Sequence, residues 1–145
     1  MSHFLTDTTV DQRRNWIRRA VRSLPVGKVT NYGAIAKVVY GQHSEQIHGA
    51  NRWYFFTQPT SAALKGLANQ DSETFPWWRV VSKDLRPPAH LLRKAEEKLR
   101  SEDKIKLCNK HVPRTYYLCY EELKKEPAIK QIMREIETYI YGLPS

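Results

Sequence analysis

The chain predicts an α/β fold, mainly α: a winged helix-turn-helix domain with a small β-wing and an extra C-terminal helix. Three observations lead there. Helical segments open the chain, each ended by Pro, Gly or a polar run. A strand-like stretch, another helix and two short β-branched or aromatic runs follow, an order that suits a winged helix-turn-helix. Finally Ile129, Ile132, Met133, Ile136 and Ile140 recur at helical spacing. Such a fold carries no function by itself.

Residues 1–8 read as a loose tail, followed by a domain over 9–123 and a helical extension over 124–145. From Thr9, the apolar residues Val10, Ile17, Val21 and Leu24 share a helix face, flanked by Trp16 and Ala20. Arg13, Arg14, Arg18, Arg19 and Arg22 cover much of the remaining circumference, and "PVGK" (25–28) stops the helix. The stretch "VTNYGAIAKVVYG" (29–41) predicts a short extended segment, then a helix capped by Thr30 or Asn31 and closed at Gly41. Residues 41–60 hold weak helical periodicity and an aromatic cluster. "TSAALKGLANQ" (60–70) reads as a short helix of small residues, with Pro59 near its first turn.

"WRVVS" (78–82) predicts a strand and "KDLRPP" a turn. Leu91, Leu92, Ala95 and Leu99 then mark a helix. "KIKLC" and "RTYYLCY" predict two strands joined by "NKHVP", and a last helix runs from about Pro127 to Tyr141.

The 145 residues suit one domain with an added helix. A chain of this size buries roughly 70% of its unfolded surface, so neither disulfides nor metal are needed to hold it. No apolar run approaches the ~20 residues of a membrane span, and the N-terminus has no apolar signal core. An intracellular home is expected, nuclear if eukaryotic and cytoplasmic if bacterial. Cys108 and Cys119 would then stay reduced. With His111 they superficially suggest a metal site, but a fourth ligand at regular spacing is missing, so no metal or cofactor is expected. Twenty-four Lys and Arg against 15 Asp and Glu leave a formal charge of +9, which favours a polyanion partner or simply a soluble basic surface.

Two blocks carry more information. Pro25, Gly27, Val29, Tyr32, Ile35 and Ala36 form the first; Pro76, Trp77, Trp78, Arg79 and Val80 form the second. Together they resemble the DNA-binding domain of O6-alkylguanine-DNA alkyltransferases, over roughly residues 11–110. Still closer is the resemblance to their non-enzymatic relatives, the alkyltransferase-like proteins. The enzymes read "P-x-G-x-V-x-x-Y-x-x-[IL]-A" and later "P-C-H-R-V"; the alkyltransferase-like proteins carry Trp in place of that Cys. The resemblance implies a winged helix-turn-helix in the minor groove of duplex DNA, rotating an alkylated guanine out of the stack. The enzymes move the alkyl group onto their cysteine, whereas the alkyltransferase-like proteins only bind and flag the lesion for repair.

Alkyl transfer needs a thiolate prepared by a neighbouring base. Trp77 stands where the thiol would be and Trp78 replaces the histidine, so no enzyme is expected. Flipping costs a few kcal/mol and stacking on an aromatic ring returns roughly 1–3 kcal/mol. By resemblance, Tyr32 would crowd the rotating phosphate, Trp77 would sit against the alkyl group, and Arg79 would tie the motif to its neighbours. Trp78 has no transferable role. The family's recognition helix reads "A-R-x-V-G-x-A-[LM]-[RK]", with the Arg filling the vacated stack. Matching "AALK" (62–65) to its end puts Gln58 at that finger and Ser61 at the usual Gly, with an apparent insertion near 42–56. A rival alignment puts Gln46 at the finger. The candidate DNA- or base-contacting residues are thus Tyr32, Gln58, Ser61, Lys65, Trp77, Trp78, Arg79 and Lys83.

Plainer readings stand beside these. The two indoles pack together in the core, or one is buried and the other lies at a pocket. Lys65, Lys83 and Arg86 contact phosphate or are simply solvated. The aromatic run within 51–58 and the C-terminal helix either pack on the domain or meet a protein partner. The alternative function is a degenerate alkyltransferase-like fold serving as an interaction or structural subunit of a larger nucleoprotein assembly.

Overall fold

The computed structural model describes residues 10–48, 60, 62, 64–66 and 75–141. The tail 1–8, the run 51–58, Gln58 and Ser61 lie outside those residues, as do the side chains of Gln46 and Ile140. The described chain is mainly helical, with one two-stranded parallel sheet.

Helix α1 spans Val10–Arg22. Its buried face is Trp16, Ile17, Ala20 and Val21, that is, Ile17 and Val21 of the predicted stripe together with the two residues expected to flank it. Arg22 is exposed, while Arg13, Arg14, Arg18 and Arg19 lie half-buried along the flanks. The helix ends where Lys28 N–H closes on Pro25 O at 3.1 Å, with Gly27 at φ +86°. Positive φ at the third position of such a turn is the province of glycine. Gly27→Ala is expected to cost about 1–2 kcal/mol of unfolding free energy through that left-handed backbone. Chemical denaturation of the variant checks this; an unchanged midpoint refutes it.

Helix α2, Tyr32–His48, starts as predicted: Asn31 is the cap, its Oδ1 accepting from Ala34 N–H at 2.8 Å. It does not stop at Gly41. A glycine ends a helix only by turning left-handed; Gly27 alone of the described glycines has positive φ, and Gly41 stays helical. Ala34, Ile35, Ala36, Val38, Val39 and Tyr40 are all buried, the mark of a helix enclosed by neighbours. A further short helical piece contains residues 60, 62 and 64–66.

Strands β1 (Thr30–Asn31) and β2 (Val80–Val81) pair in parallel, Thr30 opposite Val80 and Asn31 opposite Val81. On the other side of β1, Val29 N–H donates to Tyr116 O at 2.8 Å and Leu118 N–H to Val29 O at 2.7 Å. The sheet separates two apolar clusters. Strand residues alternate in direction, so Val80 enters the first cluster and Val81 the second. Helix α3 (Leu92–Asp103) covers the second with Ala95 and Leu99.

Three expected strands are shortened or replaced. Trp77–Arg79 is a single 3-10 turn, so only Val80 and Val81 of "WRVVS" are extended. The cause is Pro76: at φ −79°, ψ 60° it makes an inverse γ-turn, with Trp77 N–H on Phe75 O at 2.8 Å. The hairpin expected from "KIKLC" and "RTYYLCY" shrinks to a bridge between Cys108 and His111. Asn109 and Lys110, at φ 50° and 67°, fold the chain straight back. Arg114–Tyr116 is then a 3-10 turn.

A short helix α4 (Tyr120–Leu123) leads to α5 (Pro127–Tyr141). Ile129, Ile132 and Ile136 are at most 1% exposed and join the first cluster with α1 and α2. The C-terminal helix therefore packs into the domain. Trp16 meets Tyr139 edge-on at 5.4 Å, and Arg19 grips Glu135 with two hydrogen bonds of 2.7 and 2.6 Å.

That grip holds the Glu135 carboxyl below its ordinary range, chiefly through the direct hydrogen bond. A depressed folded value means the stabilisation is full above the unfolded carboxylate value of about 4.3, and fades as pH falls through the folded one. Both side chains are just over a third exposed, so water screens the pair and Glu135→Gln is expected to cost at most about 1 kcal/mol at neutral pH. In urea titrations the difference between variant and parent is expected to shrink as pH falls below about 4.3 and to vanish once the carboxyl is protonated in the folded state as well. A difference that persists there contradicts the pairing.

Among the described residues no helix is long and apolar enough to cross a membrane. Nor does any group of three or more His, Cys, Asp or Glu among them sit together to hold a metal ion.

Candidate functional site

The Pro76–Val81 segment is fixed from below by one carboxylate. Asp103, the last residue of α3, is 4% exposed. Its Oδ2 accepts from Trp78 Nε1–H at 2.9 Å; its Oδ1 accepts from Arg79 Nε–H at 2.9 Å and from Gly27 N–H at 2.8 Å. Arg79 reaches on to Leu24 O at 3.4 Å. On a strand, Trp78 and Arg79 would point to opposite faces. A 3-10 turn sets neighbours about 120° apart, close enough for both to reach one acceptor. Pro76 thus decides the geometry of the whole motif.

Asp103 is in phase with Ala95 and Leu99 on α3, which is how a charged residue comes to face the core. The chain leaves α3 through Lys104 at φ 58°, and Ile105 N–H closes back on Leu99 O at 3.0 Å. That left-handed exit with its Leu99 and Ile105 apolar pair terminates the helix at Asp103.

The two indoles have separate fates. Trp78 is buried in the second cluster with Val29, Val81 and Leu99. Lys98 Nζ lies 5.2 Å and the Arg79 guanidinium 5.9 Å from its ring centre. Trp77 is half-buried and packs against both clusters. The rings meet edge to face, centroids 5.9 Å apart at 83°, a favourable aromatic arrangement. Trp77 is the member of the pair that keeps partial exposure to solvent.

Tyr32, at the first turn of α2, is half-buried against the first cluster, where Trp77 also rests. Burial pushes its hydroxyl pKa up, so it stays a neutral donor at ordinary pH. Trp78 belongs to the second cluster, whereas Tyr32 packs against the first. Lys65 and Ala62 are exposed while Thr60 and Leu64 are buried; positions three apart share a helix face, so this short piece presents a small residue and a cation outward. Lys83 is exposed on the turn after β2.

Sequence reasoning missed Asp103. Its signal was available: an acid at positions i+4 and i+8 from buried Leu99 and Ala95, at the helix end where a negative charge is unfavourable. It also missed the role of His111, whose ring joins the Lys83–Arg86 turn to the Cys108–His111 hairpin. The ring's Nδ1 lies 2.8 Å from Asp84 O and Arg86 Nε–H donates to its Nε2 at 3.1 Å.

Comparison with known proteins finds no matching protein family, no matching curated protein and no matching solved structure.

Proposed function

We propose that this chain is a non-enzymatic, alkyltransferase-like winged-helix protein that binds duplex DNA and recognises alkylated or distorted guanine sites, marking them for repair. One observation carries the reading. The two sequence blocks that resemble the alkyltransferases lie far apart in the chain, yet they pair in register through Thr30 and Val80. That pairing sets Tyr32 and Trp77 at the border of one core. By the resemblance Trp77 would stand where a reactive thiol sits, and a partly exposed indole on a rigid seat suits stacking with an extruded base. Trp78 and Arg79 serve that seat: their polar groups are turned to Asp103 and Leu24. The exposed Lys65 and Ala62 face suits a groove, where a small residue allows close approach and a cation meets phosphate.

The indole nitrogen of Trp77 is no nucleophile, so the protein holds the alkylated base without reacting. Incubation with duplex carrying a labelled O6-alkyl group is expected to give a reversible, salt-sensitive complex and no covalently labelled protein. Covalent label overturns the non-enzymatic reading. Absence of any complex at low salt would instead favour the structural-subunit reading, in which the Trp78–Asp103 post serves stability alone.

A further inference from the structure

We propose that the cleft between the Ser82–Arg86 turn and the Cys108–His111 hairpin is a phosphodiester-binding site, gripping the nucleic-acid backbone through Arg86 and Arg114. The identity of the polyanion rests on the function proposed above; the chemistry of the cleft does not.

Two tight turns build the cleft, and the core holds both. Leu85 is left-handed at φ 62° with its side chain buried in the second cluster. Its N–H donates to Ser82 O and its carbonyl accepts from Val112 N–H, each at 2.8 Å. Ser82 N–H closes on Arg86 O at 2.9 Å. The hairpin is locked by reciprocal bonds of 2.8 and 2.9 Å between Cys108 and His111. A left-handed leucine is costly, and its burial together with three backbone bonds offsets that cost. The walls are therefore set before any ligand arrives.

The space enclosed is about 340 Å³, lined by Lys83, Asp84, Leu85, Arg86, His111, Val112 and Arg114. That volume lies at the small end of ligand sites and accommodates a phosphate with part of its sugar. Lys83, Arg86 and Arg114 supply the positive charge; the Asp84 carboxylate is the one opposing group in the lining.

His111 fixes the orientation of Arg86. The Asp84 carbonyl can only accept, so His111 Nδ1 carries the proton and Nε2 is the acceptor for Arg86 Nε–H. The guanidinium is held by one edge, and its remaining N–H donors meet no protein acceptor among the described residues. Arg114 forms no ion pair among those residues either. A planar fork with its outer donors free matches the oxygens of a phosphodiester. Because the Lys83–Arg86 turn follows β2 directly, the cleft is joined through the backbone to the segment that seats Trp77.

The test is duplex binding by fluorescence anisotropy across a salt series, for the parent, Arg86→Gln, Arg114→Gln, the double variant, and Lys130→Gln on the exposed side of α5 as control. Losing a phosphate contact lowers the slope of log K against log salt by about 0.9. Each arginine variant is expected to show that decrement, the double variant about twice it, and the control none. Matching thermal melts establish that the variants are folded. Parent-like slopes in the double variant overturn the proposal and leave the function standing.

If the parent binds no duplex, the proposed function falls, and the cleft is judged separately by titrating inorganic phosphate while observing the His111 ring resonances. A saturable shift that the double variant abolishes retains the phosphate site. No shift in the parent overturns it.

Discussion

Asp103→Ala is expected to lower the unfolding free energy by about 3–5 kcal/mol, the usual cost of stranding a buried charge by removing its partner. Three donors converge on this carboxylate: Trp78 Nε1–H, Arg79 Nε–H and Gly27 N–H. The variant leaves all three without their acceptor, one of them on Arg79, a residue only 9% exposed. Domains of this kind are stable by about 5–15 kcal/mol, so the loss is a large fraction of the total. Asp103→Asn keeps the shape but forces an amide N–H toward one of the three donors, so it is also expected to destabilise. Trp78→Phe keeps a ring in the second cluster and strands only Oδ2, a loss of about 1–3 kcal/mol. Denaturant midpoints for the three variants check the ranking. A loss below about 1 kcal/mol for Asp103→Ala, the size of a surface pair, contradicts the clamp.

The second large effect concerns binding. Trp77→Ala removes the indole face that we assign to the extruded base, worth roughly 1–3 kcal/mol by stacking. Affinity for duplex carrying O6-methylguanine is expected to fall about 5- to 150-fold. Affinity for unmodified duplex, which rests on cations such as Lys65 and Lys83, is expected to change little. Because Trp77 bridges both clusters, some stability is also lost, and folding is verified by the thermal melt. Trp77→Phe keeps a stacking face and is expected to recover most of the affinity. Equal loss on both duplexes would mark Trp77 as packing only.

Much of this was legible because periodic patterns report burial directly. Ile129, Ile132 and Ile136 announced α5, and Trp16, Ile17 and Val21 announced α1, since a face that must be buried repeats with the helix. The turn at Gly27 was legible from Pro25 and Gly27 together. The sequence reading failed where local signals carry two meanings. Gly41 resembled a stop but sits inside a helix closed in on several sides, where packing outweighs propensity. The β-branched pair Val80 and Val81 suggested a longer strand, and Pro76 turned its first half into a 3-10 turn. Asn109 and Lys110 lack the glycine that normally marks a two-residue hairpin loop, so the tight turn there was read as a longer loop. The site followed the same logic. The motif drew attention to Trp77 and Arg79, whereas Asp103 acts from a distant helix whose charged run "EEKLRSEDK" reads as a solvated surface.

The pairing of a rigid seat with a non-reacting indole is tested most directly by titrating the protein with two duplexes that differ only in O6-methylguanine against guanine, at one fixed salt concentration. The expected result is that both bind and the modified duplex binds tighter, by about tenfold, within the range that stacking one base supplies. Equal affinities, or no binding to either, would contradict it.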